Sequence, residues 1–217
     1  VNNGSFDVHG SLRNEKLLPH FNKKLKQNLI SNIDASNFIE LRKLIDRLKP
    51  EIVINCIGVI KQKSEKDSLI QMNLINKELP KFLGNLTKAK KFRLIHISTD
   101  CVFSGKSGNY EEDNIADAID NYGKSKLAGE INNLENVLTL RTSIVGHELN
   151  SCYSLVDWFL SQKNVVEGYT NALFSGLTTI KFYEILIKYV IKNPEIYGLY
   201  HVGGFTIDKY SLLSIVS

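Results

Sequence analysis

Short apolar runs alternate with amphipathic segments along most of the chain. Residues 52–57 and 92–97 are nearly continuous in apolar side chains, which is typical of strands covered on both faces of a parallel sheet. Apolar residues at helical spacing predict helices over residues 37–48 and 68–89, the second with an irregularity at Pro80. Further helices are predicted over residues 122–133, 153–160, 179–191 and 210–216, and further strands over residues 6–13, 28–30, 137–140 and 199–202. This alternation predicts an α/β fold built on a doubly wound parallel sheet.

The ends of four predicted strands carry polar residues with candidate chemistry. Arg13, Asn55, Thr99 and Arg141 each lie at or just after the end of a predicted strand. In a doubly wound sheet, ligands bind outside the carboxyl ends of the strands. We therefore expect these side chains to gather along one edge of the sheet.

Two residues of the helix predicted from residue 122 are candidates for proton transfer. Tyr122 and Lys126 are four residues apart, and this spacing places both side chains on one helical face. A nearby ammonium favours the phenolate over the phenol. We therefore expect Lys126 to lower the pKa of Tyr122 and to make the phenol a usable proton donor near neutral pH. Thr99 could hold a substrate oxygen through its hydroxyl group.

Composition argues against several classes of protein. Of the 217 residues, 43% are hydrophobic and 23% are charged, as in an ordinary globular protein. The net charge of +4 comes from scattered basic residues, so we expect no nucleic-acid partner. No apolar run reaches the ~18 residues that a membrane helix requires, so we expect no membrane partner. The three cysteines are not spaced for a metal site or a disulfide framework, which favours a reducing cytoplasm. Cys56 and Cys101 are expected to act as small hydrophobes in or beside strands.

The glycine-rich turn that normally opens a dinucleotide-binding fold is missing from this sequence. Such a fold begins with a strand, a Gly-rich turn and a helix whose N-terminus receives the pyrophosphate. No Gly-x-Gly-x-x-Gly or related cluster occurs here. Residues 1–4 are typical of the end of a helix, residues 6–12 are typical of the second strand of such a unit, and the last helical pattern is unfinished. We therefore expect a fragment that begins after the first strand and its Gly-rich turn, rather than a protein that has lost its cofactor site.

Two motifs carry a resemblance to a known family. The first is the strand-end block Ser-Thr-Asp-Cys-Val-Phe-Ser-Gly at residues 98–105, and the second is Tyr-Gly-Lys-Ser-Lys-Leu-Ala-Gly-Glu at residues 122–130. Together they resemble the extended short-chain dehydrogenase/reductase family, and more narrowly its dTDP-4-dehydrorhamnose reductase branch, which reduces the keto group of nucleotide-linked sugars. The resemblance runs across residues 5–217. It implies a Rossmann-like dinucleotide-binding domain over residues 1–145 and a small substrate-binding lobe over residues 146–217, interleaved with the first.

The resemblance implies roles for residues in both motifs. Thr99, Tyr122 and Lys126 would be catalytic. The implied substrate-binding residues are Asp100, Cys101, Val102, Phe103 and Arg141. Two of them leave a structural alternative open, since Asp100 could cap the turn after its strand and Arg141 could brace its loop instead of pairing with a substrate anion.

The resemblance also implies a nicotinamide cofactor and residues that hold it. These residues are Arg13, Ile33, Asp34, Asn55, Cys56, Ile57, Gly58, Tyr122 and Lys126. Arg13 could accept the 2′-phosphate of NADP, with NAD also possible and a solvated loop arginine as the alternative. Ile33 and Asp34 would border the adenine. Asn55 would begin a turn beside the diphosphate and ribose, with a plain turn residue as the alternative.

The implied function is that of an NAD(P)-dependent oxidoreductase. It would reduce the 4-keto group of a nucleotide-activated deoxysugar for surface polysaccharide synthesis, with homo-oligomerisation as an open question. A nucleotide-sugar epimerase and a non-catalytic nucleotide-sugar-binding or regulatory subunit are the alternatives. Dehydration is the weaker choice, since Asp100 is followed by Cys101, whereas a dehydratase has an Asp-Glu pair. Cys101 also departs from the family, which usually has tyrosine at this position.

Overall fold

A computed structural model of the protein describes residues 6–60, 65–149 and 152–217. The helix end predicted at residues 1–4 lies outside the described residues. Contacts within the chain define two compact units, one ending at Lys49 and one beginning at Pro50.

The first unit contains a short parallel strand pair and one longer helix. Its elements are β1 (Gly10–Ser11), a 3₁₀ helix (Glu15–His20), α1 (Lys23–Lys26), β2 (Leu29–Ile30) and α2 (Phe38–Leu48). β1 and β2 run parallel, with Gly10 opposite Leu29. The side chain of Asn37 caps the first turn of α2 by accepting a backbone N–H, and Lys49 ends the helix in the left-handed conformation. The strand predicted over residues 6–13 is reduced to two residues, because its pairing with β2 extends no further.

The second unit contains a parallel sheet of four strands connected largely by helices. Its elements up to residue 145 are β3 (Ile52–Asn55), α3 (Glu65–Met72), a π-helical segment (Asn73–Glu78), α4 (Leu79–Lys90), β4 (Arg93–Thr99), a 3₁₀ turn (Asp100–Val102), α5 (Asn121–Gly129), β5 (Val137–Thr142) and β6 (Ile144–Val145). The elements after residue 145 are α6 (Leu155–Leu160), β7 (Leu173–Phe174), β8 (Leu177–Thr178), α7 (Thr179–Ile185), a second π-helical segment (Leu186–Ile191), β9 (Gly198–Val202), β10 (Ile207–Asp208) and α8 (Lys209–Val216).

The strand order in this sheet is β3-β4-β5-β9, and all neighbouring strands are parallel. The predicted α/β fold with a parallel sheet is therefore confirmed. β9 lies after residue 145 in the chain, so the C-terminal segment supplies a strand to the main sheet. The division into a cofactor domain and a substrate lobe at residue 145 stays a prediction.

The central strands supply most of the hydrophobic core. β5 is buried along its whole length. Ile95 of β4 packs with Leu138 and Leu140 of β5, and the same cluster includes Leu186 and Val190 of the second π-helical segment. Burial of each such side chain contributes about 1.5–3 kcal/mol. β4 and β5 are buried at nearly every residue, and this burial explains their nearly continuous apolar pattern.

An irregular helical run connects β3 to β4. The first π-helical segment directly precedes α4, whose second residue is Pro80, so the irregularity predicted at this proline is confirmed. Proline has no backbone N–H, and its ring crowds the carbonyl four residues earlier, which here belongs to Asn76. Gly129 of α5 packs on the same carbonyl, where an added Cβ would clash. α5 therefore approaches this helical run closely.

Shorter strand pairs complete the second unit. β6 pairs with β8 in parallel, and β7 pairs with β10 in antiparallel orientation. Over residues 6–60, 65–149 and 152–217, every helix is too short or too polar to span a membrane.

Candidate active site

The carboxyl ends of β3, β4 and β5 lie side by side. Parallel pairing places Asn55 opposite His96 and Thr99 opposite Thr142. Asn55, Thr99 and Arg141 therefore lie toward one edge of the sheet, as predicted. Arg13 belongs to the first unit.

α5 brings Tyr122 to the end of β4. The carboxylate of Asp120 accepts the N–H of Gly123 at 2.7 Å and caps the start of the helix. Gly123 packs on the backbone carbonyl of Cys101, and an added Cβ would clash there. This close approach brings the Tyr122 hydroxyl close enough to interact with the side chain of Thr99.

The pKa of the Tyr122 hydroxyl is raised. Burial is the largest cause, the Thr99 side chain opposes it by favouring the phenolate, and the nearby charges of Asp100 and Asp120 add to the increase. The predicted lowering of this pKa by Lys126 is therefore wrong, because the Lys126 ammonium is directed at the backbone of β4 and burial dominates. Tyr122 is a neutral phenol at neutral pH.

Lys126 is buried and anchored to β4. Its side chain is 3% exposed, and Nζ donates a hydrogen bond to the carbonyl oxygen of Ile97 at 2.6 Å. Burial lowers the pKa of Lys126 to about 8, and attraction by Glu130 limits the decrease. At neutral pH, Lys126 is therefore an ammonium in most of the protein molecules. Tyr122 and Lys126 thus contact β4 from one face of α5, as their spacing predicts.

Two asparagine side chains hold the turn after β3. Asn55 Oδ1 accepts the N–H of Ile57 at 3.2 Å. Asn76, in the first π-helical segment, accepts the N–H of Val59 at 2.8 Å and donates to the Val59 carbonyl at 2.9 Å. Ile57 is 38% exposed, so the turn presents an accessible surface. Asn55 has the contacts of a turn residue, and its cofactor role stays a prediction.

His96 lies fully buried beside this turn. The contact with Ile57 fixes the orientation of the Asn55 amide, so Asn55 Nδ2 donates to His96 Nδ1 at 3.2 Å. The proton of the neutral ring therefore lies on Nε2, which has no hydrogen-bond partner among the described residues. Burial, and secondarily the charge of Lys126, lowers the pKa of His96 to about 3. The ring stays neutral at physiological pH.

Cys56 and Cys101 are exposed, so the prediction that they act as small hydrophobes is wrong. β3 ends at Asn55 and β4 ends at Thr99. Each thiol therefore lies beyond the buried part of its strand, at the edge that carries the candidate site.

The predicted substrate-binding residues after β4 differ in exposure. Thr99, rather than Asp100, caps the 3₁₀ turn by accepting the N–H of Cys101 at 3.2 Å. Asp100 and Cys101 are exposed, and Phe103 is half-buried. Val102 is fully buried in the core, so it exposes no surface to a substrate.

Arg141 is held by protein groups. Its Nε and Nη2 atoms donate to Glu130 at 2.9 and 2.8 Å, and both side chains are 7% exposed. Nη1 donates to Nε2 of His201 at 3.3 Å, and the guanidinium lies 4.9 Å from the centre of the Phe103 ring. These contacts agree with the alternative prediction, in which Arg141 braces its loop instead of pairing with a substrate anion. A role in substrate binding stays a prediction.

Two buried polar residues of the site, Asn76 and Glu130, were not predicted from the sequence to contribute to it. Asn76 is fully buried, and it interrupts the apolar face of an amphipathic helix, which is the signal that could have revealed it. Glu130 ends the second motif, directly after Gly129. An acidic residue directly after the end of a helix, four residues after Lys126, is a weaker signal.

The loops of the first unit carry three predicted cofactor-binding residues. The N–H of Ile33 donates to the carbonyl of Leu12 at 3.0 Å and ties the loop after β2 to the loop after β1. Asp34 accepts the N–H and the hydroxyl of Ser36 at 2.9 and 2.8 Å. These bonds lower the pKa of Asp34, and the charge of Arg13 adds a smaller decrease. Arg13 is exposed.

The parallel sheet with polar residues at its strand ends is that of a Rossmann-like fold. A family model described as the RmlD substrate binding domain matches residues 11–210. The chain belongs to this family, which confirms its resemblance to the dTDP-4-dehydrorhamnose reductases.

Individual relatives agree with this assignment. A dTDP-4-dehydrorhamnose reductase of Aggregatibacter actinomycetemcomitans is 26% identical over 183 residues, which cover 80% of this chain and 62% of the relative. Methionine adenosyltransferase 2 subunit beta of Xenopus laevis is 30% identical over 192 residues, which cover 79% of this chain and 55% of the relative. The chain thus spans less than two thirds of the length of these two curated relatives.

A solved structure shows the same fold. The crystal structure of dTDP-4-dehydrorhamnose reductase from Bacillus anthracis in complex with NADP matches with a TM-score of 0.75 and 18% sequence identity. The match covers 97% of this chain and 80% of that chain.

Proposed function

We propose that the protein is an NAD(P)-dependent oxidoreductase that reduces the 4-keto group of a nucleotide-linked deoxysugar for surface polysaccharide synthesis in the cytoplasm. One observation carries the proposal. The Tyr122 hydroxyl interacts with the side chain of Thr99 at the end of β4, and Lys126, one helical turn later, is anchored to the same strand. The similarity to the dTDP-4-dehydrorhamnose reductase of Aggregatibacter supports the reaction class and the type of substrate.

The residues of the second unit fit the ribose and nicotinamide end of a dinucleotide. Lys126 has three N–H donors, and the bond to Ile97 uses one of them. Gly58 leaves space beside the ammonium, since a Cβ added there would lie 3.9 Å from Lys126 Nζ. Exposed Ile57 and Cys56 add accessible surface on the same turn. In this proposal, Asn55, Cys56, Ile57 and Gly58 contact the diphosphate and ribose, and a dihydronicotinamide supplies the hydride when bound.

The first unit offers groups suited to an adenosine phosphate. The Arg13 guanidinium would accept the 2′-phosphate of NADP, and Ile33 and Asp34 would border the adenine. The low pKa of Asp34 keeps its carboxylate ionised. NADP is therefore the proposed cofactor, ahead of NAD.

Tyr122 is suited to protonate the substrate oxygen. Reduction of a carbonyl places negative charge on its oxygen, and a donor that is already in position stabilises this charge as it develops. Tyr122 carries its proton at neutral pH, because burial raises its pKa. The Thr99 hydroxyl would orient the oxygen, and Lys126 would hold the cofactor ribose through its remaining donors. Asp100, Cys101 and Phe103 would contact the sugar.

The substitution Tyr122→Phe tests this assignment. We expect turnover, measured as NADPH oxidation with dTDP-4-dehydrorhamnose, to fall by a factor on the order of 10²–10⁴, since the proton donor is lost. NADPH binding should stay close to wild type. Tyr197→Phe, at an exposed tyrosine, is the matched control and should leave turnover unchanged. Retention of most of the activity by Tyr122→Phe would contradict the assignment.

The similarity to methionine adenosyltransferase 2 subunit beta favours a second candidate, a nucleotide-sugar-binding or regulatory subunit without turnover of its own. The same assay separates the candidates. Oxidation of one NADPH for each sugar reduced supports the reductase, and conversion of the sugar without net NADPH oxidation supports an epimerase. Binding of NADPH with no conversion supports the subunit.

A further inference from the structure

Glu130 lies buried between β4 and β5 and has no role in the proposed reaction. Its carboxylate accepts hydrogen bonds from Ser98 Oγ at 2.7 Å and from Arg141 Nε and Nη2 at 2.9 and 2.8 Å. Ser98 and Arg141 are opposite each other in the parallel strand pair. The carboxylate therefore joins two neighbouring strands one residue before they end at Thr99 and Thr142.

The same carboxylate anchors the end of α5. Glu130 directly follows the last residue of the helix, and Lys126 lies four residues earlier. Lys126 Nζ donates to the carbonyl oxygen of Ile97, and Glu130 accepts from Ser98, the next residue of β4. Two successive residues of β4 thus hold α5, immediately before Thr99. This arrangement sets how Tyr122, one turn earlier in α5, meets Thr99.

Four titratable groups lie around Lys126 on α5, β4 and the turn after β3. Surrounding protein atoms limit the hydration of the Cys56 thiolate and raise the pKa of Cys56, so its thiol is neutral at neutral pH. His96 is neutral because burial lowers its pKa to about 3. Tyr122 is neutral because burial raises its pKa. Of these four groups, Glu130 exerts the largest attraction on Lys126, and this attraction favours the ammonium form of Lys126.

We propose that Glu130 is a positioning residue that keeps Lys126 charged and fixes α5 against the end of β4, while Arg141 controls how strongly that carboxylate acts on Lys126. The inference rests on the proposed reductase function. Loss of the carboxylate removes the attraction that favours the ammonium form of Lys126. Loss of the guanidinium removes the positive charge that pairs with the carboxylate, so the carboxylate attracts Lys126 more strongly. The two changes therefore move the Lys126 titration in opposite directions, whereas a merely structural pair predicts loss of stability in both.

The titration of Lys126 tests the inference without cofactor or substrate. The protein is labelled with carbon-13 at the lysine ε-carbons, and the Lys126 resonance is assigned by its absence in Lys126→Arg. We expect a midpoint of about 8 in the wild type. The midpoint should fall by about 0.5–1 pH unit in Glu130→Gln and rise by a similar amount in Arg141→Gln. An unchanged midpoint in Glu130→Gln, or shifts of the same sign in both variants, would overturn the inference.

Two further variants separate charge from stability. Ser98→Ala removes a hydrogen bond to the same carboxylate but no charge, so it should keep the wild-type midpoint. Arg93→Lys, at the start of β4, disturbs bonds from Arg93 to the carbonyls of Val190 and Ile196 at 2.7 and 2.6 Å, and it should lower stability without moving the midpoint. If Glu130→Gln does not fold, the direction in which Arg141→Gln shifts the Lys126 midpoint decides whether the carboxylate acts on Lys126.

Cofactor affinity connects the inference to the site. In Glu130→Gln, NADPH binding should be weaker than in the wild type at about pH 8 and should recover at about pH 6, where Lys126 is protonated in both proteins. An affinity loss of equal size at both pH values would refute the charge effect. If the wild type does not bind NADPH, the proposed function fails, and the Lys126 titration still decides the role of Glu130.

Discussion

Lys126 Nζ lies 2.6 Å from the carbonyl oxygen of Ile97, and this hydrogen bond joins the helix that carries Tyr122 to the strand that ends at Thr99. Burial of the ammonium at this contact lowers the pKa of Lys126 to about 8. The charge of the candidate site therefore changes within the pH range of ordinary assays.

NADPH binding should weaken as the pH rises through about 8. Below this pH Lys126 is an ammonium that attracts the cofactor, and above it the neutral amine loses that attraction. Fluorescence titration of the NADPH affinity across this pH range measures the effect. Lys126→Arg stays protonated throughout, so its affinity should not change over the same range. A wild-type affinity that is constant through pH 8 would contradict the prediction.

His96 should make the protein sensitive to acid. The ordinary pKa of a histidine side chain is 6.5, and the pKa of His96 in the folded protein is about 3. Between pH 3 and 6.5, the unfolded chain therefore binds more protons than the folded protein does. Its contribution to the free energy of unfolding should therefore fall by about 1.4 kcal/mol for each pH unit of acidification in that range. Urea unfolding at several pH values should show that the free energy of unfolding falls less on acidification in His96→Asn than in the wild type. His20→Asn, at an exposed position, should keep the wild-type dependence.

Asn76→Asp should destabilise the protein. The amide nitrogen of Asn76 donates to the Val59 carbonyl and to Ser125 Oγ, both at 2.9 Å, and a carboxylate has no such donor. Because these acceptors are buried or partly buried, we expect a loss of about 2–4 kcal/mol in the free energy of unfolding. Asn85→Asp, at an exposed position of α4, should change it by less than about 0.5 kcal/mol. Equal effects of the two substitutions in urea unfolding would refute the role of Asn76.

Gly129→Ala and Gly84→Ala should differ in cost. A Cβ at Gly129 would clash with the backbone carbonyl of Asn76, which cannot move without disturbing the helix. A Cβ at Gly84 would meet the Cδ1 atom of Ile131, the end of a flexible side chain. We expect Gly129→Ala to cost about 1–3 kcal/mol in thermal unfolding. Gly84→Ala should cost less, because alanine gains about 1 kcal/mol of helix propensity over glycine. The reverse order would contradict the packing described for α5.

The main strands and helices could be predicted because their patterns reflect burial. The apolar runs at residues 52–57 and 92–97 correspond to β3 and β4, and the irregularity at Pro80 follows from its missing N–H. The ends of the elements were less predictable. α5 ends at Gly129 rather than at residue 133, since the Glu130 carboxylate binds Ser98 and Arg141 on neighbouring strands.

The sequence by itself determined that Tyr122 and Lys126 share a helical face and that polar residues lie at the carboxyl ends of the strands, because helix periodicity and the end of an apolar run are local patterns. Tertiary structure alone decided the electrostatics. Burial outweighs the attraction of a neighbouring charge, so the pKa of Tyr122 rises and that of Lys126 falls. The partner of Arg141 also depends on the fold, since its contact with Glu130 forms only when α5 packs against β4 and β5.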